Sequence, residues 1–198
     1  MRNSNLYLVS LVLVAILGGL LFGYDTAVIS GAEQALQKHL GLNAFWHGVT
    51  ASSALIGCVI GGAISGVCAS RMGRRNSLRL SAVLLFLSAL GSYYPEFIFF
   101  EKGDTSFSLI LAFNFYRILG GVGVGLASAI SPMYIAEVAP SEIRGKLVSC
   151  NQFAVIFGML VVYFVNYMIK DGMTEEVLVS EGWRKMFVSE AVSYTHLR

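Results

Sequence analysis

A single carboxylate, Asp25, stands inside the apolar run Gly18-Gly-Leu-Leu-Phe-Gly-Tyr-Asp-Thr-Ala-Val-Ile-Ser-Gly31. Another apolar run carries one guanidinium, Arg117, and near its end a second carboxylate, Glu137. A charge at bilayer depth is costly, and such groups face a cavity, a partner or a moving ion. Asp25 and Arg117 are opposite in sign. A carboxylate that shares charge with an arginine when ionised, and releases it when protonated, is a proton-operated switch. A static structural ion pair is the competing reading of the same two residues.

Three further groupings could do chemistry. The turn Gly66-Val-Cys-Ala-Ser-Arg-Met-Gly-Arg-Arg75 packs arginines around a glycine. Glu137 and Arg144 stand seven apart on either side of Pro140. They can pair with each other or with the basic turn, forming a gate that biases a two-state equilibrium. Asn151 and Gln152 place amides in an apolar span, and amides offer both the donors and the acceptors that sugar hydroxyls require. Inter-helix hydrogen bonding is the alternative, preferred for Asn151 and evenly weighed for Gln152.

The composition names the elements that must hold these groups. Of the 198 residues 56% are hydrophobic and 13% charged, about half the charge of a soluble domain. A net charge of +2 with dispersed basic residues excludes a nucleic-acid surface. Three cysteines without a CxxC spacing read as buried thiols, and three histidines show no metal-ligand spacing. No nucleophile–base pair or cofactor motif is present, so neither an enzyme nor a bound cofactor or metal is expected.

A membrane span needs about 20 mostly apolar residues. Spans are expected at about 6–30, 46–70, 76–95, 107–136 and 147–169, with a sixth starting at 183. The first is too long for a secretory h-region and is read as retained. Seven basic residues (Arg2, Arg71, Arg74, Arg75, Arg79, Arg144 and Lys146) then share one side, and five (Lys38, Lys102, Lys170, Arg184 and Lys185) the other. The arginines crowded around one short turn decide the orientation, with the N-terminus cytoplasmic. If the first helix leaves the membrane near Ser30, Asp25 lies roughly 8–9 Å below the outer face and Arg117 roughly 12–15 Å.

Glycines recur at packing spacing: Gly19/Gly23, Gly57/Gly61, Gly62/Gly66 and Gly121/Gly125. Close backbone approach at such pairs does much of the work of joining helices in lipid. Gly18-Gly19-xxx-Gly23 also echoes Gly120-Gly121-xxx-Gly125 three spans later, the trace expected of an inverted three-plus-three repeat.

Together these motifs resemble the sugar porters of the major facilitator superfamily. The residues that carry the resemblance are Gly-Gly-Leu-Leu-Phe-Gly-Tyr-Asp25, Arg71-Met-Gly-Arg-Arg75, Arg117-Ile-Leu-Gly-Gly-Val-Gly-Val-Gly and Pro132-x-Tyr-x-x-Glu137-x-x-Pro-x-x-x-Arg144-Gly. Asn151-Gln152-Phe and Gly182-Trp-Arg complete them. The match extends over nearly all of residues 6–191. It implies an all-α integral membrane fold, the N-terminal six-helix half of a twelve-helix carrier cut within its sixth helix. It also implies sugar–proton symport by alternating access across a bacterial inner membrane, with xylose favoured, the second half being required for transport. Asp25 and Arg117 would couple protons; Phe22, Gln152 and Met159 would line the sugar site; Arg74, Arg75, Glu137 and Arg144 would form the cytoplasmic network. Two departures stand out. Ser70 replaces an aspartate of that network, and Met159 replaces a sugar-contacting glutamine, which keeps another pentose or hexose open. A sugar uniporter, and a sugar-binding sensor or inactive fragment, are the alternative functions. Residues 192–198 do not read as a helix of this family and are expected to be non-native.

Overall fold

The computed structural model describes residues 2–93, 107–187 and 189. Among them every long element is a helix: α1 (Arg2–Leu40), α2 (Ala44–Met72), α3 (Arg74–Tyr93), α4 (Phe107–Val138) and α5 (Arg144–Asp171). A short α6 (Glu175–Val177) passes through a π-helical stretch, Leu178–Gly182, into helical residues 183–187. The ends of the expected third and sixth spans, and the tail 192–198, lie outside the described residues.

Backbone chemistry sets the breaks. Gly41 adopts φ +60°, a left-handed conformation that costs glycine little and ends α1. Asn43 then caps α2, its side-chain oxygen accepting from the Trp46 N–H at 2.9 Å. Gly73, at φ +78°, turns α2 into α3. The first helix is longer than the expected membrane span of about 6–30. It runs unbroken for 39 residues and continues past Ser30 to Leu40, because residues 31–40 include no proline and only one glycine, Gly31. At 1.5 Å per residue it is about 58 Å long, so it extends beyond the roughly 30 Å hydrocarbon layer.

Among the described residues three helices, α2, α4 and α5, are long and apolar enough to cross a membrane. Their burial sorts them: 61% of the apolar window of α4 is buried within the chain, against 22% for α2 and 28% for α5. α4 is therefore the central helix. The large apolar side chains of α2 and α5, among them Val59, Phe153, Leu160 and Phe164, face outward, as side chains solvated by lipid tails do.

Glycine sets how the helices meet. A Cβ added at Gly19 or Gly23 of α1 would strike the backbone of α5 at Asn151 or Val155, and one at Gly158 would strike Leu20. A Cβ at Gly121 or Gly125 of α4 would strike α2 at Ala54 or Cys58, and one at Gly61 would strike Val122. The two seams share one register. Residues 121 less 19, 125 less 23 and 122 less 20 all differ by 102, and 151 less 54, 155 less 58 and 158 less 61 all differ by 97. α1 on α5 thus repeats as α4 on α2, the pairing that an inverted three-helix repeat requires. By contrast Gly62 and Gly66 have nothing within 4 Å of an added Cβ, so a side chain at either would clear the neighbouring helices among the described residues.

Candidate functional site

The bundle brings Asp25 and Arg117 together. α1 and α4 set their side chains face to face, with Arg117 Nη1 3.5 Å from Asp25 Oδ1 and only 2% of either side chain exposed. The Phe187 ring lies over the guanidinium, 5.3 Å from its carbon to the ring centroid, a favourable position for a desolvated cation. Cys58 of α2 is close enough to feel both charges. Neighbouring on α1, the Tyr24 hydroxyl is hydrogen-bonded to Ser189 at 2.7 Å. Both charges of the Asp25–Arg117 pair are withdrawn from solvent. Breaking it by removing one partner strands the other as a buried charge, at a cost of about 3–5 kcal/mol.

The three candidate sugar-contacting residues lie along the α1–α5 seam. Phe22 is half-buried between Gly19 and Gly23, Gln152 is exposed, and Met159 is half-buried against the main apolar cluster. Asn151 turns inward. Its Oδ1 accepts from the Ser131 hydroxyl at 3.4 Å, and its side chain packs where Gly19 lacks one. Adjacent amides thus take opposite roles, one tying helices and one presented outward.

At the opposite end of the bundle Glu137 selects its partner. Arg74 Nε and Nη2 both donate to Glu137 Oε1, at 3.0 and 2.7 Å, joining the start of α3 to the end of α4. Arg144 instead donates to the Ala139 carbonyl at 3.5 Å. Arg75 is exposed and meets no carboxylate among the described residues. In the loop between α4 and α5, the Glu142 carboxyl is held below the usual glutamate range by its own backbone N–H and the Ser141 hydroxyl. Both members of the Arg74–Glu137 pair are 40–45% exposed, and exposed pairs contribute about 1 kcal/mol or less. Arg74→Ala is therefore expected to lower the melting temperature in detergent by no more than about 2–4 °C. A much larger drop would show that the pair clamps the helix ends.

Sequence reasoning missed a set of buried polar side chains between the helices. Thr50, Asn114 and Asn166 are 3%, 6% and 5% exposed. Asn166 donates to the Val28 carbonyl at 3.3 Å and fills the space above Gly31. The available signal was a polar residue isolated in an apolar span, most plainly Asn114, three residues before Arg117.

A protein-family model described as "Sugar (and other) transporter" matches residues 11–196. The D-xylose-proton symporter of Escherichia coli strain K12 is 52% identical over 96% of this chain and 41% of its own length. The arabinose-proton symporter of Bacillus subtilis is 44% identical over 86% of this chain and 34% of its own. The partially occluded inward-open structure of the xylose transporter XylE from E. coli superposes with a TM-score of 0.90 at 49% identity, over 96% of this chain and 48% of that one. The chain thus spans well under two thirds of the length of the relatives it matches. With an all-helical bundle and a family match over almost its whole length, the chain belongs to the family of sugar (and other) transporters.

Proposed function

We propose that residues 1–191 form the amino-terminal bundle of a longer carrier that moves a pentose or hexose together with a proton by alternating access. The observation that carries this reading is the buried Asp25–Arg117 pair, 3.5 Å apart and shielded from solvent. Two of its relatives are named as proton symporters, for xylose and for arabinose. A proton arriving on Asp25 neutralises the carboxylate and leaves Arg117 without its counter-charge. The relative stability of the two helix arrangements then depends on protonation, which is how a proton gradient drives a conformational cycle.

The remaining roles follow from position. Gln152, exposed beside the α1–α5 seam, offers an amide to sugar hydroxyls, and Phe22 offers a ring to the apolar face of a pyranose. Arg74 and Glu137 close the cytoplasmic end while the carrier faces outward, with Arg144 and Arg75 beside them. Clustered arginines at that end support a cytoplasmic N-terminus in the bacterial inner membrane. The second half of the carrier completes the sugar site.

Xylose is the favoured substrate from the relatives' names. Met159 supports a second reading, a different pentose or hexose, because a thioether donates no hydrogen bond to a sugar hydroxyl. The test uses lightly buffered, energy-depleted cells expressing the full-length carrier. Adding the transported sugar should raise external pH as protons enter with it. Xylose, arabinose, glucose and galactose are each supplied in turn. Sugar entry with no pH change for any of them would overturn proton coupling and favour a uniporter.

A further inference from the structure

Four buried polar atoms of α2 and α4, one of them on Arg117 itself, have no hydrogen-bond partner among the described residues: Thr50 Oγ1, Asn114 Oδ1 and Nδ2, and Arg117 Nε. Thr50 belongs to α2 and the others to α4, and these two helices pack against each other. Trp46 of α2 meets Phe107 of α4, with ring centroids 4.8 Å apart, and Gly57 meets Ile118 further in. Both pairs differ by 61 in number, so the seam keeps one register between them. Thr50 and Asn114 fall within that stretch. Thr50, Ser53 and Gly57 lie on the buried side of α2, while Asn114 is one turn before Arg117 on α4. The Ser53 hydroxyl is satisfied by the Thr50 carbonyl at 2.8 Å, whereas the Thr50 hydroxyl has no such partner among the described residues. One turn before Thr50, His47 Nε2 lies 3.2 Å from Glu33 Oε1, and both side chains are partly exposed.

Orphaned amide, hydroxyl and guanidinium atoms cost about 1–3 kcal/mol each when buried, and a polar site with several such groups is where ordered water is held. We infer that Thr50, Asn114 and Arg117 Nε bind ordered water in the α2–α4 seam, and that this water carries protons between the Glu33–His47 end and Asp25. Each transfer breaks one water O–H bond and forms the next along the line. A proton enters at the His47 end and one arrives on an Asp25 oxygen, with no other charge moved. The charged and titratable groups along the line are Glu33 and Asp25 of α1, His47 and Cys58 of α2, and Arg117 of α4. Phe187 covers one face of the guanidinium, while Arg117 Nε has no partner among the described residues. Asn114 is a positioning residue: it holds the water and exchanges no proton itself.

This inference rests on the symport reading, and the experiment separates the two. In the full-length carrier, sugar-induced proton uptake and sugar exchange at equal internal and external pH are measured for the unsubstituted protein, Asn114→Leu, Asn114→Ser and Thr50→Val. Exchange needs a folded carrier and a sugar site but no net proton movement. Asn114→Leu and Thr50→Val are expected to lower proton uptake about tenfold relative to exchange, the scale of one buried hydrogen bond. Asn114→Ser, which restores a hydroxyl, should recover most of it. Proton uptake and exchange falling in parallel, or neither falling, would overturn the water line and leave symport standing. Absence of sugar-induced proton uptake in the unsubstituted carrier would overturn both.

Discussion

Asp25→Asn is expected to abolish uphill sugar accumulation while exchange of sugar across the membrane persists. One elementary charge moved through 100 mV is worth about 2.3 kcal/mol, which sustains roughly 50-fold accumulation. An asparagine cannot take up and release a proton, so the ratio should collapse to about one. The substitution also removes the counter-charge of a guanidinium that is 2% exposed, so some loss of stability is expected beside the loss of coupling. Exchange distinguishes the two effects, because a misfolded carrier exchanges nothing. Accumulation by Asp25→Asn at the unsubstituted level would remove Asp25 from the coupling step and return the pair to a structural role.

Gly23→Val and Gly125→Val should each prevent accumulation of folded protein in the membrane. At Gly23 the new Cβ would overlap the Val155 carbonyl, and at Gly125 the Cys58 carbonyl. Those obstacles are backbone atoms of a neighbouring helix, which cannot rotate aside as a side chain can. An overpacked side-chain core costs about 1–3 kcal/mol; displacing a whole helix costs more. Gly62→Ala supplies the internal control, since an added Cβ there meets nothing within 4 Å. It should shift stability by no more than about 0.5–1 kcal/mol, in the favourable direction if helix propensity dominates. Yield of monodisperse protein and its melting temperature in detergent report all three. If Gly62→Ala proved as damaging as Gly23→Val, glycine would be acting through something other than close approach within this chain.

Much of this architecture can be read from the residues in order. Apolar runs of bilayer length with charges collected between them dictate spanning helices, whatever packs against them. The rarity of charge inside those runs also marks Asp25, Arg117 and Glu137, because lipid offers an isolated charge no solvation. The echo of Gly19/Gly23 in Gly121/Gly125 carries the repeat, since only glycine permits that approach and its spacing survives in the sequence.

Other features were decided only by the folded chain. Gly57/Gly61 and Gly62/Gly66 are indistinguishable as strings, yet only at the first pair would a side chain strike another helix, because one residue of rotation turns a position by 100° away from the seam. Arg74 and Arg75 are adjacent and identical in chemistry, and the turn at Gly73 aims only Arg74 at Glu137. Thr50 and Asn114 are 64 residues apart in sequence, and only the α2–α4 register sets them in the same stretch of one seam. In water a hydrophobic stripe identifies the buried face of a helix before the fold is known. In a bilayer both faces are apolar, so the choice between lipid and neighbouring helix is made by shape and by polar contacts that exist only once the helices are assembled.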